Sequence, residues 1–206
     1  MASRNRRTQG KSLKRTAGTR GERRTIMVFT EGKNSEPDYV NGLKRLPRIF
    51  GKIALKLEIH PEHVVPMRLV ELAVDYVDDP EIDECWCIFD VESPQPHPNL
   101  KEALALAEKR GVKVAVSNPC FETWLVLHFE DCTRSYTTAQ IDRLSKRLDG
   151  RSGKSIDADK YLPHREAAAE RARKLDERHD RDGKTFPKNN PSSGMPAFLA
   201  ALDRTT

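Results

Sequence analysis

Apolar positions fall into short runs separated by amphipathic stretches. Thr25-Ile26-Met27-Val28-Phe29-Thr30 is apolar without polar alternation, the pattern of a strand buried on both faces. It ends at Glu31-Gly32-Lys33-Asn34-Ser35-Glu36-Pro37, where Ser35 predicts a helix N-cap and Pro37 suits a first turn. Tyr39, Val40 and Leu43 continue at helical spacing. Residues 53–60 alternate and predict a second strand, and residues 66–77 predict a helix that stops at Asp78-Asp79-Pro80. Cys85-Trp86-Cys87-Ile88-Phe89 predicts a third buried strand, closed by Asp90-Val91-Glu92. Pro94, Pro96 and Pro98 exclude helix from the next loop. A helix over 99–110 with Gly111 as its C-cap and a fourth strand over 112–116 follow. Helices are then expected over 120–129, 138–148, 157–179 (kinked at Pro163) and 196–202.

Strands alternating with helices imply an α/β fold. The expectation is a mostly parallel four-stranded sheet flanked by helices, followed by a helical C-terminal extension. Among 206 residues this predicts one domain over 25–206, with a core at 25–130 and the extension at 131–206. No apolar run approaches the roughly 18 residues of a membrane helix, and the basic N-terminus lacks a secretory pattern. A cytoplasmic protein without membrane association is therefore expected.

Charge changes the picture at the N-terminus. The chain carries 36 Lys and Arg against 31 Asp and Glu. Residues 1–24 hold nine of those bases, among them Arg4, Arg6, Arg7, Arg23 and Arg24, and one acid, Glu22. That segment is +8, which leaves −3 for residues 25–206. With Leu13 as its only large aliphatic residue after Met1, the segment predicts a disordered basic arm. Such an arm suits a phosphate backbone and carries no sequence readout.

Three motifs invite chemistry and do not support it. Gly150-Arg151-Ser152-Gly153-Lys154-Ser155 has Leu148 where a phosphate loop needs its first glycine, and a helix where the motif needs a strand, so it reads as a flexible basic loop. His60 and His63 have no partner pair to complete a zinc site. Cys85, Cys87 and Cys120 read as small buried hydrophobes, while Cys132 could be exposed but has no activating base nearby in sequence.

The acids are more informative. Ligands of doubly wound sheets bind outside the carboxyl ends of the strands. Glu31 follows the first strand, and Asp90 with Glu92 follows the third. If the backbone stays extended, Asp90 and Glu92 point the same way. Such a carboxylate set is relieved by a divalent cation, for which Mg²⁺ with oxygen ligands is the expectation and Mn²⁺ the substitute. Glu122, in a first helical turn beside a strand end, is a further metal candidate or a helix cap. Glu36 and His128 are candidates for the layer supporting the ligands. Lys33, one turn from Glu31, could contact a phosphate.

Val28-Phe29-Thr30-Glu31-Gly32 together with Ile88-Phe89-Asp90-Val91-Glu92 resembles the signature of the Toprim fold, with Glu92 where an Asp is usual. More narrowly, four segments are similar to the RloB-like family of bacterial proteins. They are Thr30 to Tyr39, Phe89-Asp90-Val91-Glu92, the block Ser117-Asn118-Pro119-Cys120-Phe121-Glu122-Thr123-Trp124 running on to Phe129, and Asn190-Pro191-Ser192-Ser193. The resemblance implies a Mg²⁺-dependent nuclease of DNA or RNA, transfer RNA included, associated with phage defence. It also implies a partner ATPase of ABC or AAA type encoded nearby. Carried over by position, Asp90 and Glu92 become metal ligands, and Glu31 a metal ligand or general acid/base. The alternatives are a non-catalytic, metal-sensing subunit of an ATPase complex and a simple nucleic-acid-binding module.

Overall fold

The computed structural model describes residues 23–59 and 64–204, so most of the basic arm (Arg4, Arg6 and Arg7 included) and the His60/His63 pair lie outside the described residues. Among the described residues five strands form one sheet of order β2-β1-β3-β4-β5. They are β1 (Arg24–Thr30), β2 (Ile53–Ile59), β3 (Glu84–Asp90), β4 (Lys113–Asn118) and β5 (Ser192–Ser193). The first four pair in parallel, and β5 runs antiparallel to β4 with Ser117 opposite Ser193. The sheet therefore has five strands where four were expected. Two residues are too few to show a period.

Among the described residues seven α-helices accompany the sheet: α1 (Ser35–Lys44), α2 (Pro66–Val74), α3 (Leu100–Arg110), α4 (Glu122–Leu127), α5 (Thr138–Asp149), α6 (Arg165–Arg181) and α7 (Met195–Asp203). The expected helix over 157–179 resolves into two 3₁₀ turns, Ala158–Lys160 and Leu162–His164, before α6. Pro163 lies in the second turn, where its ring cannot continue a regular α ladder.

The buried strands explain the layering. Ile26, Val28, Trp86 and Ile88 face one side and pack with Tyr39, Val40 and Leu43 of α1 and with residues of α4 to α7. Met27, Phe29, Cys85, Cys87 and Phe89 face the other side and pack against α2 and α3. Both faces are covered, so the strands read as continuous apolar runs. Consequently α1, which follows β1, and α3, which follows β3, leave toward opposite faces. Where two adjacent parallel strands diverge in this way, a crevice opens at their carboxyl ends. All four cysteines are buried and free. Cys132 is only 2% exposed, contrary to the surface position its polar neighbours suggested.

Candidate functional site

β1 and β3 are neighbours, with Thr30 opposite Ile88, and the Glu31 N–H continues the ladder to the Ile88 carbonyl at 3.1 Å. The two strands thus deliver Glu31 and Asp90 to one crevice. Glu31 Oε2 accepts from the Asp90 N–H at 3.1 Å, so the first carboxylate is tied to the end of the neighbouring strand. Glu31, Glu36, Asp90, Glu92 and Glu122 line a cleft of about 270 Å³ together with Gly32, Lys33, Asn34, Ser35 and Lys154.

Glu92 arrives by a route that alternation does not describe. The strand ends at Asp90, and Glu92 sits at φ 70°. A non-glycine residue in that left-handed region costs on the order of 1–3 kcal/mol and is retained where the surroundings fix it. Here its N–H donates to the Pro119 carbonyl at 2.7 Å, and its Oε2 accepts from the Thr138 hydroxyl at 2.5 Å. Glu92 is therefore aimed by β4's exit turn and by the start of α5, while Asp90 is aimed by β3.

Glu36 is a wall of the cleft and not only a supporting residue. It is buried in the first turn of α1, and its Oε1 accepts from the Gly32 N–H at 3.2 Å. A Cβ at Gly32 would meet the Glu36 carboxylate, so the end of that side chain would have to move. Ser35 is already helical, with Asn34 at the cap position, and its hydroxyl donates across the cleft to the Lys154 carbonyl at 2.7 Å.

Crowding of acids sets the electrostatics. Burial pushes the Glu36 carboxyl up to about 7, with the charges of Glu122 and Glu31 adding to it. Burial also raises Asp90 well above the usual carboxylate range, and Glu36, Glu31, Glu122 and Glu92 act in the same sense. Asp90 Oδ1 is buried with no hydrogen-bond partner among the described residues. Shielded carboxyls that burial and neighbouring acids hold above their ordinary range are the groups a cation would bring back down.

Sequence reasoning missed His97. It sits in the proline-rich loop after β3, where its Nε2 reaches 2.8 Å from Glu31 Oε1, an ion-pair contact at a poor angle for a hydrogen bond. The contact with Glu31 raises the imidazole above its ordinary value, against the effect of burial. The only available signal was a histidine closely following the Asp90/Glu92 pair. Lys154 and Arg151 were also missed, because they belong to the loop rejected as a phosphate motif.

Other expected residues lie elsewhere. His128 is not among the cleft-lining residues. Its Nε2 lies 3.1 Å from the Tyr39 hydroxyl and its Nδ1 2.8 Å from the Trp124 carbonyl, and burial pushes it down to about 4. It is a neutral member of an aromatic cluster with Tyr39, Trp124 and Tyr161. Arg24 is at the opposite end of β1, where its Nη2 pairs with Glu84 at 2.5 Å and its Nη1 donates to the Ala201 carbonyl at 3.2 Å. Arg23 donates to the Ile53 carbonyl at 2.9 Å at that same end.

A sequence model of the RloB-like protein family matches residues 26–202. The chain belongs to the RloB-like family. No curated protein and no solved structure matches it. In this RloB-like chain no three His, Cys, Asp or Glu side chains among the described residues already stand at metal-ligand spacing. Several carboxylate oxygens are instead engaged with His97, Thr138 and backbone N–H groups. The donor set is nonetheless all oxygen, and Asp90 Oδ1 has no other partner among the described residues. Mg²⁺ keeps several waters and needs one or two protein carboxylates, so these residues fit a hard divalent cation. No described helix is long and apolar enough to cross a membrane.

Proposed function

We propose that this RloB-like protein is a Toprim-like nuclease that hydrolyses phosphodiester bonds of DNA or RNA with Mg²⁺ or Mn²⁺. In this reading it acts in phage defence under the control of a partner ATPase. The observation that carries the reading is the convergence of Glu31 and Asp90 from adjacent strand ends into one cleft with Glu36, Glu92 and Glu122.

Asp90 and Glu92 would hold the cation, with Glu31 and Glu122 beside it. The chemistry a divalent cation would supply there is polarisation of the phosphodiester and easier ionisation of water. The protein's own groups do the rest. The carboxylates exclude any anion that arrives without a cation. Glu31 is oriented by the Asp90 N–H and by His97, which leaves an acid and a base in contact where the attacking water must lose a proton and the leaving oxygen must gain one.

The test compares wild type, Asp90→Asn and Glu31→Gln on DNA and RNA with Mg²⁺, as the isolated full chain and with the partner ATPase. We expect each variant to lose on the order of 10²-fold or more in cleavage rate while keeping its melting temperature within a few degrees of wild type. Equal cleavage by all three proteins would remove the assigned site.

A further inference from the structure

Gly150 to Ser155 fails as a phosphate loop by spacing, yet the fold brings it to the acidic cleft. α5 ends at Asp149 and Gly150 turns the chain at φ 75°. The loop is then pinned to α1 at two points. The Ser35 hydroxyl donates to the Lys154 carbonyl at 2.7 Å, and the Ile156 N–H donates to Asp38 Oδ2 at 3.0 Å. Behind it lies Arg151, with its side chain only 8% exposed. Its Nη1 donates to Asp149 Oδ2 at 2.7 Å and to the Tyr161 hydroxyl at 3.2 Å. Its Nη2 is 3.9 Å from Glu122 Oε1, and neither Nη2 nor Nε has a hydrogen-bond partner among the described residues. The loop is thus a fixed wall with a buried positive charge behind it.

Lys154 lines the same cleft as the carboxylates, but its ammonium makes no hydrogen bond or ion pair with any described residue. A cation left unpaired beside five acids is available to an anion that enters with a metal ion. An ammonium suits a single phosphate oxygen, since it acts as a compact point charge.

We propose that Lys154, presented by the pinned Gly150–Ser155 loop, contacts a phosphate group of a nucleic-acid strand lying in the cleft. This rests on the reading of the cleft as a phosphodiester site. The carboxylates and the lysine divide the work: the acids take the cation, and the ammonium takes the strand.

The test measures binding of fluorescein-labelled single-stranded DNA and RNA 20-mers by anisotropy. It uses the full chain in an Asp90→Asn background with Mg²⁺, across a salt series, and with ATP as a competing phosphate source. Lys154→Gln should weaken binding about tenfold and reduce the slope of log K against log salt by about 0.7, the share of one single-strand phosphate contact. Lys154→Arg should retain both, and Lys101→Gln, an exposed charge on α3, should change neither. Unchanged affinity and slope in Lys154→Gln would overturn the proposal, as would absence of binding by the background protein. Loss of ATP binding with oligonucleotide binding intact would overturn the assignment to a strand. The two readings fail separately. If wild type cuts nothing but Lys154→Gln still loses affinity, the nuclease reading falls and the contact stands. If the enzyme with native Asp90 cuts equally well with Lys154→Gln, at unchanged KM and salt slope, the contact falls and the nuclease stands.

Discussion

Glu36 shows at a single residue how the cleft trades stability for readiness. Its carboxyl titrates at about 7 in the fold against an ordinary 4.5, because burial and neighbouring acids oppose its charge. The folded protein then holds this proton more tightly than the unfolded chain does. Stability contributed by the protonated form is complete below pH 4.5 and is lost as pH rises toward 7. It stays lost above that, by up to about 3 kcal/mol. Asp90, also raised, acts in the same direction. In metal-free buffer, Glu36→Gln should therefore melt higher than wild type at pH 8 and show a shallower decline between pH 4.5 and 7. Thermal melting followed by circular dichroism across that range checks it. A decline as steep as wild type would show that Glu36 is ionised at no cost in the fold.

At the scale of elements, the short strand β5 decides how the C-terminal helices meet the sheet. The Gly194 N–H donates to the Val116 carbonyl at 2.8 Å, just after the antiparallel pair Ser117–Ser193. A Cβ at Gly194 would lie 2.8 Å from the Val116 nitrogen and 3.0 Å from the Ala115 Cα, so backbone and not a movable side chain blocks it. Gly194→Ala should cost about 1–3 kcal/mol, as overpacking does, and lower the melting temperature measurably. A melting temperature equal to wild type would mean that α7 can shift without loss. The same strand marks the limit of what could be read along the chain. β1 and β3 were legible because both faces are covered, which writes an unbroken apolar run, and their terminal acids Glu31 and Asp90 were legible with them. β5 carries no such run. Glu92 was legible as a candidate but not by its route, since a left-handed residue held by Pro119 and Thr138 leaves no periodic trace. His97 and Lys154 were hidden for another reason: what makes them part of the site is contact with Glu31 and Ser35, far away in the chain. The burial of His128 was foreseeable from its place beside Phe121, Trp124 and Leu125 at helical spacing.

For the whole molecule, the distribution of charge sets the order of events in binding. The first 24 residues carry +8, while the remainder carries −3 and gathers five acids in its cleft. A polyanion approaching that cleft meets net repulsion, so attraction beyond Lys154 must come from bases outside it. Within residues 1–24, Arg23 and Arg24 are engaged at the far end of β1, which leaves the seven Lys and Arg of residues 1–22 as a source. Deleting residues 1–22 should therefore weaken oligonucleotide binding most at low salt. If all seven bases meet phosphates of a single strand, the salt slope should fall by up to about 5. If the cleft is the proposed nuclease site, turnover at saturating substrate should stay close to that of the full chain, because the arm would supply attraction and the cleft the chemistry. Parallel salt titrations and cleavage kinetics on the two proteins separate the outcomes. An unchanged slope would remove the arm from binding. A lost kcat at saturation would place the arm in the reaction itself, and the division between an attracting segment and a reacting cleft would no longer hold.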